Sequence, residues 1–253
     1  MQVGVKESNG FEVFNDLVGV LDEDYRHPIP MGVKGIDVLL KGGLAKGEVG
    51  IIFAGPGIGK STLLTLVANT AFNNNYNVLH IFFEDNPKII QRKHITLWTK
   101  ISPDELPNNK DIVFDTVNKI KETHTNKLIL KKLPSDTLTM NQIKNQNQER
   151  LLLMVLNLNL VVLDYIDCVV PDRQGNDEWK NEGSVIRHFE AMCHELNIAG
   201  WLGTQGNRAS ISSNVVTNDQ MGGSIKKAQV GHVIISIAKS LQQKEMNLAT
   251  VAI

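Results

Sequence analysis

Ala54-Gly55-Pro56-Gly57-Ile58-Gly59-Lys60-Ser61-Thr62 stands between an apolar run, Val49 to Phe53, and a helix-compatible run, Leu63 to Phe72. Buried strand, glycine-rich loop and helix, in that order, is the context a phosphate loop requires. Glycines let backbone N–H groups curl around a phosphate, the helix N-terminus adds its positive end, and a lysine reaches the β- and γ-oxygens. Lys60 occupies the lysine position, and Ser61 offers a hydroxyl to Mg²⁺, a hard cation that keeps most of its waters and asks for few protein ligands. Ala54 replaces the usual first glycine at a position that begins the loop without approaching the phosphates. Ala54 to Thr62 is therefore the expected ATP-binding segment. A bare glycine turn would leave the Lys-Ser pair at this offset unexplained.

Outward from the loop, short apolar runs recur at Val78 to Phe83, Leu128 to Leu130, Leu158 to Leu163, Ile198 to Leu202, Val233 to Ile237 and Leu248 to Ile253, with helix-compatible segments between most of them. Parallel neighbours need crossovers of a dozen or more residues, so this alternation predicts an α/β fold, a mostly parallel sheet covered by helices on both faces. Ahead of Pro28 and Pro30, Phe11, Phe14, Leu17, Val18 and Leu21 recur at three- and four-residue steps and draw an apolar stripe on one short helix. Residues 1–30 are read as an N-terminal segment carrying this helix, and 31–253 as the ATPase domain. Because Val251-Ala252-Ile253 ends inside a strand-like run, that domain is expected to be truncated.

Apolar residues are 42% of the 253 and charged residues 21%, with mean hydropathy −0.12, which is ample material for a packed core. Lys+Arg 26 against Asp+Glu 27 excludes a blanket basic field that would coat nucleic acid or an anionic membrane. Cys168 and Cys193 are far apart, without metal-ligand spacing, and the N-terminus lacks a signal pattern, so a reducing cytoplasm and no membrane are expected.

Three polar residues end apolar runs. Asp164 closes Leu158-Asn159-Leu160-Val161-Val162-Leu163, where a carboxylate would accept from Ser61 or from Mg²⁺-bound water, a Walker B pattern. Glu84 closes Val78 to Phe83, 24 residues after Lys60. If that strand neighbours the loop strand, its end opens on the nucleotide crevice, where a carboxylate can deprotonate the attacking water. Gln205 closes Ile198 to Thr204, where an amide can touch the γ-phosphate and report its loss. Arg92 and Asp167 read as solvated or salt-bridged.

This arrangement resembles the RecA-like ATPases, and within them the DnaB-type hexameric replicative helicases, phage relatives included. Gly32 to Ser61 is similar to the family's Gly-Gly-Leu approach and P-loop, Phe83-Glu84-Asp85-Asn86-Pro87 to its strand-end glutamate, Val161 to Ile166 to its Walker B strand, and Gln205-Gly206-Asn207-Arg208 to its Gln-x-Asn-Arg motif. The resemblance implies a motor domain with Glu84 as catalytic base, Gln205 as sensor, and the loop after Arg208 lining a channel for single-stranded DNA. It implies a homo-oligomer, a hexamer in the family, held in part by the Phe11 to Leu21 helix, and primase or a helicase loader as partners. Family members also insert a basic finger into the neighbouring subunit's site. The matching position here carries Lys239, a point charge in place of the arginine fork.

For the DNA contact, Asn207, Arg208, Lys226 and Lys227 lie in a net-basic stretch, whereas Pro171 to Gly183 sets Arg173 and Lys180 against Asp172, Asp177, Glu178 and Glu182. The main alternative is a RecA/KaiC-type ATPase in recombination or signalling, with the same nucleotide chemistry and no unwinding. Small-molecule kinases share the loop but generally use an arginine-rich lid, which six scattered arginines do not provide.

Overall fold

Val49–Ala54 forms β1, buried at every position. It pairs in parallel with β5 (Ala199–Gln205) on one side and β6 (Val233–Ala238) on the other. With β2 (Val78–Phe82), β3 (Leu128–Lys132), β4 (Leu160–Asp164) and β7 (Thr250–Ala252), the seven-stranded sheet runs β3-β2-β4-β5-β1-β6-β7, and only β7 is antiparallel to its neighbour. The computed structural model describes residues 13, 17–21, 26–144, 157–172, 178–206, 230–246 and 248–253. The helices are α1 (Leu17–Val20), α2 (Lys34–Leu39), α3 (Lys60–Asn73), α4 (Pro87–Thr99), α5 (Lys110–Thr123), α6 (Glu178–Leu196) and α7 (Leu241–Glu245).

The predicted α/β class holds, and the reason is visible in the core. Val49, Ile51 and Phe53 pack with Ile81, Leu163 and the α6 residues Ile186 and Phe189 on one face, while Ile52, Val162 and Trp201 pack with Leu64, Val67 and Ala71 of α3 on the other. Strands covered on both faces read as unbroken apolar runs, which is how they stand in the sequence. Gly50 admits the Trp201 ring: a Cβ there would lie 2.3 Å from it. The adjacency that the sequence left as a condition is not met. β2 does not adjoin the loop strand, because β4 and β5 pair between them.

The packed body reaches back past the expected boundary at residue 31. Arg26 pairs with Glu48 at 2.6 Å, Ile29 is buried, and its N–H donates to the Leu44 carbonyl at 2.8 Å. In α1, Leu17 and Val18 are exposed, as is Leu21 just beyond it, whereas Phe11 and Phe14 lie outside the described residues. Cys168 and Cys193 are free and buried. Among the described residues, no helix is long and apolar enough to cross a membrane.

Between β2, α3 and α4 runs a buried polar relay. Asn69 Nδ2 donates to His94 Nδ1 at 3.2 Å, and His94 Nε2 lies 3.2 Å from His80 Nδ1. Asn69 Oδ1 accepts from Asn73, so its amide nitrogen faces the imidazole, and this order assigns the His94 proton to Nε2. Both rings are neutral in this scheme. Burial, with Lys93 nearby, pushes His94 down to about 4, and burial drives His80 well below its ordinary range. A histidine depressed in the fold binds fewer protons than in the unfolded chain, so its stabilising contribution is complete above about pH 6.5 and is lost as pH falls toward 4. The His94 contribution lost between pH 7.5 and pH 5 is about 2 kcal/mol. Urea midpoints across that range should fall more steeply for the wild-type chain than for His94→Gln; equal slopes would refute the assignment.

Candidate active site

β1 delivers Ala54 to the carboxyl edge of the sheet, and the chain turns through Gly57 (φ +71°) and Gly59 (φ +121°) before α3 begins at Lys60. Those left-handed values are open to glycine and strained for other residues, so the loop's curvature depends on these two positions. The strand order β2-β4-β5-β1 then sets the ends of four consecutive parallel strands side by side. Glu84 follows β2, Asp164 ends β4, Gln205 ends β5, and the phosphate loop follows β1. Carboxyl-end crevices are where open α/β sheets bind ligands. Here the crevice is a cleft of about 360 Å³ lined by Gly55 to Gly57, Gly59 to Thr62, Glu84, Asp85, Lys93, Asp164, Tyr165 and Gln205.

The Lys60 ammonium lies 3.7 Å from the centroid of the Tyr165 ring. Burial pushes its pKa down, and the charges of Asp164, Asp167 and Glu84 push it back up. Burial raises Asp164, opposed by its hydrogen bond with Ser61 and by the Lys60 charge. Asp164 Oδ1 is buried and has no hydrogen-bond partner among the described residues. Such an acceptor is costly unless a donor reaches it, and a hydrated cation beside the Ser61 hydroxyl would bring water donors to it. Ser61 and Asp164 thus fit the demands of Mg²⁺.

Glu84 Oε1 accepts from the Tyr165 hydroxyl at 2.8 Å, and the Glu84 carbonyl accepts from Lys132 Nζ at 3.2 Å. α4 starts directly afterwards, with the Asn86 side chain accepting from the Lys88 N–H at 2.9 Å and Pro87 in the first turn. Lys93, in the second turn of α4, pairs with Asp85 at 2.7 Å. At the end of β5, Asp167 accepts from Thr204 Oγ1 and from the Gln205 backbone N–H, both at 2.9 Å, and so holds the turn that presents the Gln205 amide.

The structure therefore gathers Ala54 to Thr62, Glu84, Asp164 and Gln205 at one place. Lys239 follows β6 beside this loop, and its Nζ stands 3.9 Å from where a Cβ on Gly59 of the same chain would be. Asn207, Arg208, Lys226 and Lys227 lie outside the described residues. Sequence reasoning missed Tyr165 and Lys93 and took Asp167 as an ordinary charged residue. The available signal was position: Tyr165 and Asp167 follow the Walker B aspartate within three residues.

A glycine loop with its lysine, a strand-end aspartate bonded to the loop serine, and a glutamate across the cleft, all on a RecA-like sheet, define a P-loop ATPase. The chain belongs to the DnaB-like helicase C terminal domain family, whose sequence model matches residues 28–215. Curated relatives are matched only in part. "DNA repair protein RadA" of Rickettsia conorii (strain ATCC VR-613 / Malish 7) is 36% identical over 97 residues, 38% of this chain and 20% of that protein. The Helicobacter pylori (strain ATCC 700392 / 26695) protein of the same name is 39% identical over 62 residues, 24% of this chain and 14% of that one.

Two solved structures share the fold. "The Structure Of A DnaB-Like Replicative Helicase And Its Interactions With Primase" aligns with TM-score 0.75 at 14% identity, covering 94% of this chain and 59% of that one. A second solved structure, of an ATPase domain, aligns with TM-score 0.70 at 15% identity, covering 84% of this chain and 76% of that one.

Proposed function

We propose that this chain is the motor of a replicative DNA helicase, hydrolysing ATP at interfaces between copies of itself and moving along single-stranded DNA. The observation that carries the reading is the convergence of Lys60, Ser61, Asp164, Glu84 and Gln205 on one cleft from four neighbouring strand ends. In this reading the loop N–H groups and Lys60 bind the β- and γ-phosphates. Glu84 orients the attacking water and takes its proton, and Gln205 reads the γ-phosphate. Ser61 and Asp164 hold Mg²⁺, which supplies positive charge to the phosphate oxygens when bound.

The exposed apolar side chains of Leu17, Val18 and Leu21 support docking on an adjacent copy, with a hexamer as the proposed assembly. Asn207, Arg208, Lys226 and Lys227 are the proposed DNA contacts, primase or a helicase loader the proposed protein partners, and the cytoplasm, or the host's for a phage protein, the proposed location. Lys239 acts as the trans finger only by swinging from its own Gly59 toward the neighbouring copy.

The test is steady-state ATP hydrolysis with Mg²⁺, with and without single-stranded DNA, alongside displacement of a labelled strand. DNA is expected to raise turnover several-fold and ATP to drive displacement. The partial RadA matches favour a second reading, a RecA/KaiC-type ATPase in recombination. Filaments on DNA without displacement would select it over the motor.

A further inference from the structure

We infer that Tyr165 is the positioning residue of the cleft: its hydroxyl holds the Glu84 carboxylate in place for catalysis, and its ring is the resting place of Lys60 until phosphate arrives. The inference rests on the reading of Glu84 as the base. Glu84 is an exposed side chain at a strand end, free on its own to sample several rotamers, whereas a base must stay within about 3 Å of the proton it takes. The contact that orients it is the 2.8 Å hydrogen bond from Tyr165.

Tyr165 is itself well anchored. It follows the buried end of β4, and the next turn, Ile166–Cys168, buries Ile166 and Cys168. A tyrosine phenol is a protonated donor through the neutral range.

The ring has a separate effect. With Lys60 Nζ 3.7 Å from its centroid, the ring gives a partly desolvated ammonium a partner. Phosphate oxygens are stronger partners for that charge, so nucleotide draws Lys60 off the ring and leaves the hydroxyl on Glu84. The hydroxyl therefore governs turnover, and the ring weakens nucleotide binding by competing for the lysine.

Tyr165→Phe removes the hydroxyl and keeps the ring; Tyr165→Leu removes both. Steady-state ATP hydrolysis and equilibrium binding of a fluorescent ATP analogue, on variants with wild-type thermal melts, separate the two effects. Tyr165→Phe should lose about tenfold in kcat, with KM for ATP unchanged within about twofold. Tyr165→Leu should lose as much turnover and bind the analogue about threefold more tightly than Tyr165→Phe. Wild-type kcat in Tyr165→Phe, alongside an inactive Glu84→Gln, would overturn the positioning role, as would a KM rising in step with the fall in kcat. Equal or weaker analogue binding by Tyr165→Leu would overturn the role of the ring. Full activity in Glu84→Gln would remove the base reading and this inference with it, a pattern unlike a silent Tyr165→Phe.

Discussion

Lys60→Ala is expected to lower ATP hydrolysis by about 10²–10³-fold and to weaken ATP binding at the same time. The ammonium sits at the first turn of α3 in a cleft where water is partly excluded, so a contact from it to a phosphate oxygen is little screened. A charge-assisted hydrogen bond contributes about 1.5–3 kcal/mol to binding, and a donor aimed at charge that grows in the transition state about 2.7–4 kcal/mol to the barrier. Calorimetric titration with ATP and a phosphate-release assay read the two losses separately. Removing the cation also leaves Asp164, Asp167 and Glu84 without the positive charge they share, so the comparison includes the variant's thermal melt. Hydrolysis at the wild-type rate would exclude Lys60 from the reaction.

Glu84→Gln should show the opposite division. The amide keeps the length of the side chain and an oxygen that can accept from the Tyr165 hydroxyl, but it cannot take a proton from water. General-base catalysis contributes about 10²–10⁴-fold, and a loss of about 10²–10³-fold in kcat is expected with ATP affinity unchanged within about twofold. Single-turnover hydrolysis with bound ATP measured independently gives the result. A comparable loss in binding would mean that Glu84 contacts nucleotide or metal in the ground state, and the base would have to be sought elsewhere on the cleft rim.

Lys60 and Ser61 were legible because a phosphate loop is local chemistry: the glycines, the lysine and the helix start lie within a few residues of one another. Asp164, Glu84 and Gln205 were legible as strand ends, since a polar side chain closing a buried apolar run stands at the sheet's edge wherever that strand lies. Their mutual distance was not legible. The sequence left open whether the Glu84 strand lies beside β1; Glu84 reaches the crevice from β2, with Asp164 and Gln205 on the two strands between. Asp167 looked like one more charged residue because its partners, Thr204 and the Gln205 N–H, are almost forty positions further along the chain. His80 and His94, 14 positions apart, are joined only where α4 crosses β2.

The sequence by itself determined the class of protein: periodicity and turn residues dictate alternating strands and helices, and one loop carries the phosphate-loop pattern. The tertiary structure alone decided the sheet order, and through it which strand ends share the cleft. It also set the contacts of Tyr165 with both Lys60 and Glu84. The physical reason is that patterning reports which face of each element is apolar, and many sheet orders satisfy the same faces. The order adopted is chosen by packing across the whole core, where β4 and β5 insert between β2 and β1 and bring distant side chains to within hydrogen-bond length.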